Sequence, residues 1–168
     1  MEKIMKIYND LKESNNELIE SGNKIFPLGF IIEKDYKIKI VSLSFRNGME
    51  KDFMREAFKA IVLNSETIGY VIILDTYMTT IDTITNEKEV YDTVIRNLYT
   101  PKKSILDFVK CKDNKIVEVM DMTGMEEGTD EWNFWGRRDR SKEFEKANAD
   151  YQKFKKDNPD KYKELQNG

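Results

Sequence analysis

Ile68-Gly69-Tyr70-Val71-Ile72-Ile73-Leu74 is a run of strand length with no polar residue to mark a wet face. A strand on a half-exposed sheet alternates apolar with polar, so this run predicts a central strand covered on both sides. Asp75 interrupts it, and Tyr77-Met78 resume beyond the interruption.

A central strand needs neighbours, and the flanking sequence supplies them. Residues 25–32 form a compact apolar run broken only by Pro27 and Gly29, and residues 36–45 follow after the polar turn Glu33-Lys34-Asp35. Together they read as a β-hairpin with Pro27 at an edge or outside the ladder. Within the second strand, Ile38 and Ile40 point one way while Val41, Leu43 and Phe45 point the other, which predicts a bulge or a doubly buried end. Downstream, residues 104–112 and 115–122 form a second hairpin joined at Asp113-Asn114.

Helical periodicity marks the rest. Asn47 followed by Glu50 has the spacing of a capping box, and Phe53, Met54, Ala57, Phe58, Ile61 and Val62 then recur at helical intervals. Residues 1–21 place Ile4, Tyr8, Leu11, Leu18 and Ile19 near one stripe, and Gly22-Asn23 ends that helix. Asn86 with Glu89 resembles another cap, and Val90, Tyr91, Val94, Ile95 and Leu98 predict a short helix that Pro101 stops. A last helix starts near Ser141 and breaks at Asn158-Pro159. The expected fold is therefore α+β: a mixed, mainly antiparallel sheet of about five strands, a long helix on one face and terminal helices covering edges. Residues 1–124 would form the core domain, and residues 125–168 an aromatic and basic arm with a charged helix.

Composition sets the chemical bounds. The chain has 168 residues, enough for one core of ordinary size, and a net charge of −3. It has no histidine and a single cysteine, Cys111. Imidazole-dependent triads and metal sites are thereby excluded, as are an internal disulfide and any cysteine-cluster zinc site. Cys111 lies between Lys110 and Lys112, but without a histidine base it reads as a buried small hydrophobe. No signal-peptide pattern or membrane-length apolar run is visible, so the expected location is cytoplasmic. The excess of lysine over arginine, with frequent isoleucine and asparagine, is the bias of an A/T-rich genome such as a low-GC bacterium or its phage.

Residues 132–140 hold both tryptophans and three of the six arginines. Trp132, Phe134, Trp135, Arg137, Arg138 and Arg140 are the residue types that dominate protein interfaces and stack on bases. The competing reading makes the aromatics an anchor for the arm, with the arginines paired to Glu126, Glu127 and Asp130. Residues 137–168 carry about +3 against −6 for the remainder. Acidic residues interrupt that positive charge, so nucleic-acid binding through the arm is a weaker expectation than a protein partner or self-association.

Asp75, Asp82, Asp107, Glu118 and Asp121 lie in or beside expected strands and could converge on a divalent ion. Their spacing matches no metal-nuclease pattern. Tyr70, Tyr77, Tyr91 and Tyr99 could edge a nucleotide pocket, but neither G-x-G-x-x-G nor G-x-x-x-x-G-K-[ST] is present. No cofactor, metal or catalytic residue is assigned. A metal-dependent carboxylate enzyme and a nucleotide-binding module stand as the alternatives to a binding protein.

The segment Leu28-Gly29-Phe30-Ile31-Ile32, the strand to Phe45, the helix from Phe53 to Val62 and the strand from Gly69 to Leu74 together resemble small uncharacterised α+β proteins common in bacterial and phage genomes. The likeness covers about a third of the chain and carries no functional residues. It implies an accessory protein, and with the arm it points to a non-enzymatic factor, encoded by a phage or mobile element, that occupies a host or defence protein.

Overall fold

The run at residues 68–74 lies inside β3 (Thr67–Ile81), which continues through Asp75. Asp75 does not end the strand because its backbone stays paired: it sits opposite Val94 on β4 (Lys88–Tyr99), and the pairing extends to Ile81 and Lys88. The computed structural model describes residues 1–63, 66–123, 132–135 and 140–160. Around β3 and β4 it builds one six-stranded sheet of order β2-β1-β3-β4-β5-β6, from β1 (Leu28–Glu33), β2 (Ile38–Ser42), β5 (Ser104–Lys112) and β6 (Lys115–Asp121). Every neighbouring pair is antiparallel. The α+β class holds, with one strand more than expected.

The additional strand is β4, where the sequence predicts a helix. Asn86 is not a helix cap. It adopts a left-handed φ of 59° in the turn between β3 and β4, where Asp82 Oδ1 accepts from Ile84 N at 2.7 Å and Thr85 N at 2.9 Å. From Thr93 onward β4 is covered on both faces, so alternation disappears and the apolar positions fall at intervals that also suit a helix. Val90, Thr93, Val94 and Ile95 are β-branched and pack well on a pleated surface.

The other elements follow their local signals. Asn47 Oδ1 accepts from Glu50 N at 3.0 Å at the start of α2 (Gly48–Val62), and the Glu50 carboxylate reaches back to Arg46 N at 2.7 Å. At the end of α1 (Glu2–Glu20), Asn23 N donates to Leu18 O and Gly22 N to Ile19 O, with Gly22 at φ +73°. That pattern is a Schellman motif, in which glycine supplies the left-handed residue. Asp113 and Asn114, at φ 52° and 59°, form the two-residue turn whose twist matches its strands. β2 pairs with β1 in regular register, with neither the bulge nor the doubly buried end that were the expected alternatives. Ile38 and Ile40 stay exposed while Leu43, just past the strand, is buried.

Residue parity divides the core into two layers. On one face Phe30, Ile32, Val71, Ile73, Val94, Leu98 and Val109 pack against Ile4, Tyr8 and Ile19 of α1. On the other, Ile31, Tyr70, Ile72 and Tyr99 pack against Phe58 and Val62 of α2 and against Trp132. α1 therefore covers a sheet face and not the edge expected for a terminal helix, because its stripe of Ile4, Tyr8 and Ile19 matches the apolar face of β3 and β4. α3 (Arg140–Asp157) lies outside α2, where Phe154 stacks on Phe53. Gly29 is required beneath α2, since a Cβ there would stand 2.5 Å from the Phe58 ring.

Candidate functional site

Of the six arm residues singled out by composition, three have described side chains, and these gather around Tyr70. The Tyr70 hydroxyl donates to Trp132 O at 2.7 Å and accepts from Phe134 N at 2.8 Å. One phenol thereby ties residues 132–134 to the central strand. Tyr70 also stacks between aromatic rings, with centroids 4.8 Å from Tyr99, 5.5 Å from Phe134 and 6.1 Å from Trp135. Trp132 is 4% exposed, whereas Phe134 and Trp135 are half-buried. Lys59 of α2 sits over the Phe134 ring at 5.9 Å. Arg137 and Arg138 lie outside the described residues. Arg140 opens α3, but its side chain also lies outside them.

On the opposite face is a buried charge cluster that composition did not reveal. Arg96 of β4 is 1% exposed, and its Nη1 donates to Asn16 Oδ1 at 2.7 Å while Nη2 stands 3.9 Å from Asp107 Oδ2. Lys12 approaches the same carboxylate oxygen, and the Tyr8 hydroxyl divides its proton between Asp107 Oδ2 at 3.3 Å and Arg96 O at 3.2 Å. Burial, reinforced by the Asp107 charge, pushes the Tyr8 phenol well above the ordinary tyrosine value. Burial also pulls the Arg96 guanidinium below its usual value, against the opposing pull of Asp107. Among the described residues, Arg96 Nε and Asn15 Oδ1 have no hydrogen-bond partner. The cluster fastens α1 to β4 and β5.

Of the remaining acidic candidates, Asp121 borders the cluster from β6, opposite Asp107, while the others lie apart from it. Asp82 binds the amides of its own turn, Asp121 accepts from Thr123 N, and Asp75 and Glu118 are exposed. No three acidic or cysteine side chains among the described residues are placed to share a cation. Cys111 is buried in the α1-side core, and burial raises its thiol pKa.

The outer halves of β3 and β4 form a solvent-facing ribbon. β1 pairs with β3 only as far as Ile73, and β5 pairs with β4 only from Asp92. Residues 74–91 therefore project as two strands and a turn. Along this stretch β3 alternates between half-buried and exposed positions. On the α1 side, Tyr77 is 77% exposed and Val90 60%, with Ile81 also exposed, and Ile84 at the tip is 92% exposed. Tyr77 lies opposite Asp92 and Thr79 opposite Val90, so Tyr77, Val90 and Ile81 share one face. The opposite face is better covered: Tyr91 is buried beneath Lys110, whose ammonium stands 3.7 Å from the ring centroid. Between the ribbon base and the end of α1 lies a cleft of about 260 Å³, with Asp75, Asp92, Asn23 and Lys24 among its lining residues.

Sequence reasoning noted Tyr77 as an aromatic but missed Ile81, Ile84 and Val90 as a surface. The signal present was the β-branched run Thr79-Thr80-Ile81 following Tyr77, residue types that favour a strand. It was obscured by the helix expected at residues 86–98.

No helix among the described residues is long and apolar enough to cross a membrane. No family model matches the chain, and it has no significant match among curated proteins or among solved structures.

Proposed function

We propose that this chain is a non-enzymatic protein-binding accessory factor whose contact surface is the ribbon of β3 and β4. The observation that carries the reading is the exposure of Tyr77, Ile81, Ile84 and Val90 on one projecting element. Large apolar side chains held together in water cost free energy that a partner would recover, and such patches mark interaction sites. The aromatic arm contributes from within: Trp132 and Phe134 brace the central strand from which the ribbon extends. The half-buried rims of Phe134 and Trp135 lie on the other side of the sheet and would form a separate, smaller contact.

Affinity capture with the wild-type chain and with Tyr77→Lys/Val90→Lys tests the reading. Both substitutions sit on exposed side chains, so the variant is expected to fold and to lose its specific partner. Equal recovery by both proteins would remove the ribbon from the contact surface.

A further inference from the structure

We propose that the ribbon recognises its partner by strand addition along β3, and that the added segment is an uncharged β-strand flanked by Lys or Arg at both ends. This rests on the binding role proposed above and specifies its mode. Along the ribbon the backbone groups of β3 point alternately toward β4 and away from it. Asp82 N donates to Glu87 O across the ribbon, so Asp82 and Glu87 form a hydrogen-bonded pair. In an antiparallel ladder such pairs alternate with non-bonded ones, so the even-numbered residues of β3 bond to β4. The odd-numbered residues Tyr77, Thr79 and Ile81 direct their N–H and C=O groups to the opposite side. Beyond Ile73 that side has no strand among the described residues.

The side chains along that edge leave it open as well. Natural sheets blunt open edges with charges, prolines or bulges. Thr76-Tyr77-Met78-Thr79-Thr80-Ile81 has none of these, whereas the opposite edge of the ribbon carries Lys88 and Glu89. The β3 edge is thus open to pairing while the β4 edge is guarded. An added strand would also lay alternate side chains beside Tyr77 and Ile81 on their exposed face.

Charge identifies the occupant. Residues 75–92 carry five acidic residues and one lysine, for a net charge of −4. Asp75 and Asp82 bracket the uncharged stretch, and backbone amides hold the Asp82 carboxyl below its usual pKa, so it remains ionised. A second copy paired antiparallel along this edge must set outward-directed residues opposite one another, so a pairing centred on Thr79 would place Asp75 beside Thr83 and Asp82 beside Thr76 and lay one ribbon of net charge −4 along another. Two ribbons of the same net charge repel one another when brought side by side. A strand ending in Lys or Arg meets both carboxylates favourably, which selects a basic-ended partner over self-pairing.

The test uses two synthetic octapeptides, KTVTVTVK and ETVTVTVE, titrated calorimetrically into the full chain while backbone amides are followed by NMR. The lysine-ended peptide is expected to bind saturably, to weaken as salt is raised and to protect the amides of Tyr77, Thr79 and Ile81 from exchange. The glutamate-ended peptide should bind at least about tenfold more weakly. Thr79→Pro removes an outward N–H without touching the bonds to β4 and should weaken the lysine-ended peptide by about tenfold or more. If Thr79→Pro does not fold, Thr79→Lys places a charge at the same point on the edge and should have the same effect.

Equal binding of the two peptides, no binding of either, or indifference to the Thr79 variants would overturn the proposal. So would a concentration-dependent dimer abolished by Thr79→Pro, which would make a second copy the occupant. A captured partner that tolerates Thr79→Pro but not Tyr77→Lys/Val90→Lys would refute strand addition and leave the binding role standing. A partner indifferent to all three substitutions would refute both.

Discussion

The inner and outer halves of β3 and β4 are continuous strands built from similar residue types, yet their surroundings are opposite. Between Thr67 and Ile73, β3 is buried at nearly every position and has strands on both sides. Between Asp75 and Ile81 it keeps one partner and alternates in exposure. The comparison teaches that strand identity is settled by backbone pairing, whereas the stability each residue contributes depends on what covers it. Substitutions in the inner half should cost kilocalories, and those in the outer half should cost little except binding.

The largest loss of stability is expected at Asp107, opposite Arg96. Asp107→Ala leaves the Arg96 guanidinium buried without its counter-charge and should destabilise the chain by about 3 kcal/mol in urea titration. A loss below about 1 kcal/mol would show that Asn16 Oδ1 and the Lys12 carbonyl, which accepts from Arg96 Nη1 at 3.4 Å, suffice for Arg96. Gly29→Ala presses a methyl group into the Phe58 ring and should cost about 1–3 kcal/mol, because α2 must shift to admit it. Tyr70→Phe deletes the hydroxyl shared by Trp132 O and Phe134 N and should cost about 1–2 kcal/mol by the same measurement.

Alkaline pH probes the inner half in a different way. The Tyr8 phenol has a higher pKa folded than unfolded, so its contribution to stability is fully present below the ordinary tyrosine range. It is lost as pH rises above about 10, where the unfolded chain ionises more readily. The denaturation midpoint should therefore fall over that range in the wild type and fall less steeply in Tyr8→Phe. The smallest expected effect belongs to the ribbon: Ile81→Lys or Val90→Lys should change stability by no more than about 0.5 kcal/mol. A larger loss would mean that the outer half is part of the core after all.

How far the fold could be read in advance followed the same division. The central run, the Asn47–Glu50 cap, the Asp113-Asn114 turn and both terminal helices announced themselves because each has a local cause. β4 did not, since double burial removed its alternation and Asn86 with Glu89 imitated a cap. Its β-branched residues were the signal that could have decided the matter. Arg96 was illegible for another reason: a buried arginine looks like a surface one until the strand carrying it is assigned and Asp107 is found opposite. The arm was legible as an aromatic cluster, but nothing local could show that Tyr70, 62 residues earlier, would hold it by a hydroxyl.

The docking of residues 132–135 on Tyr70 also gives the molecule an internal optical reporter. Both of its indoles stand in this one segment, Trp132 sequestered from water and Trp135 stacked on a phenol ring. Emission colour therefore registers whether the segment lies on the sheet, while far-ultraviolet dichroism registers the strands themselves. A red shift that precedes loss of dichroism on warming would place the departure of the segment before the melting of the sheet.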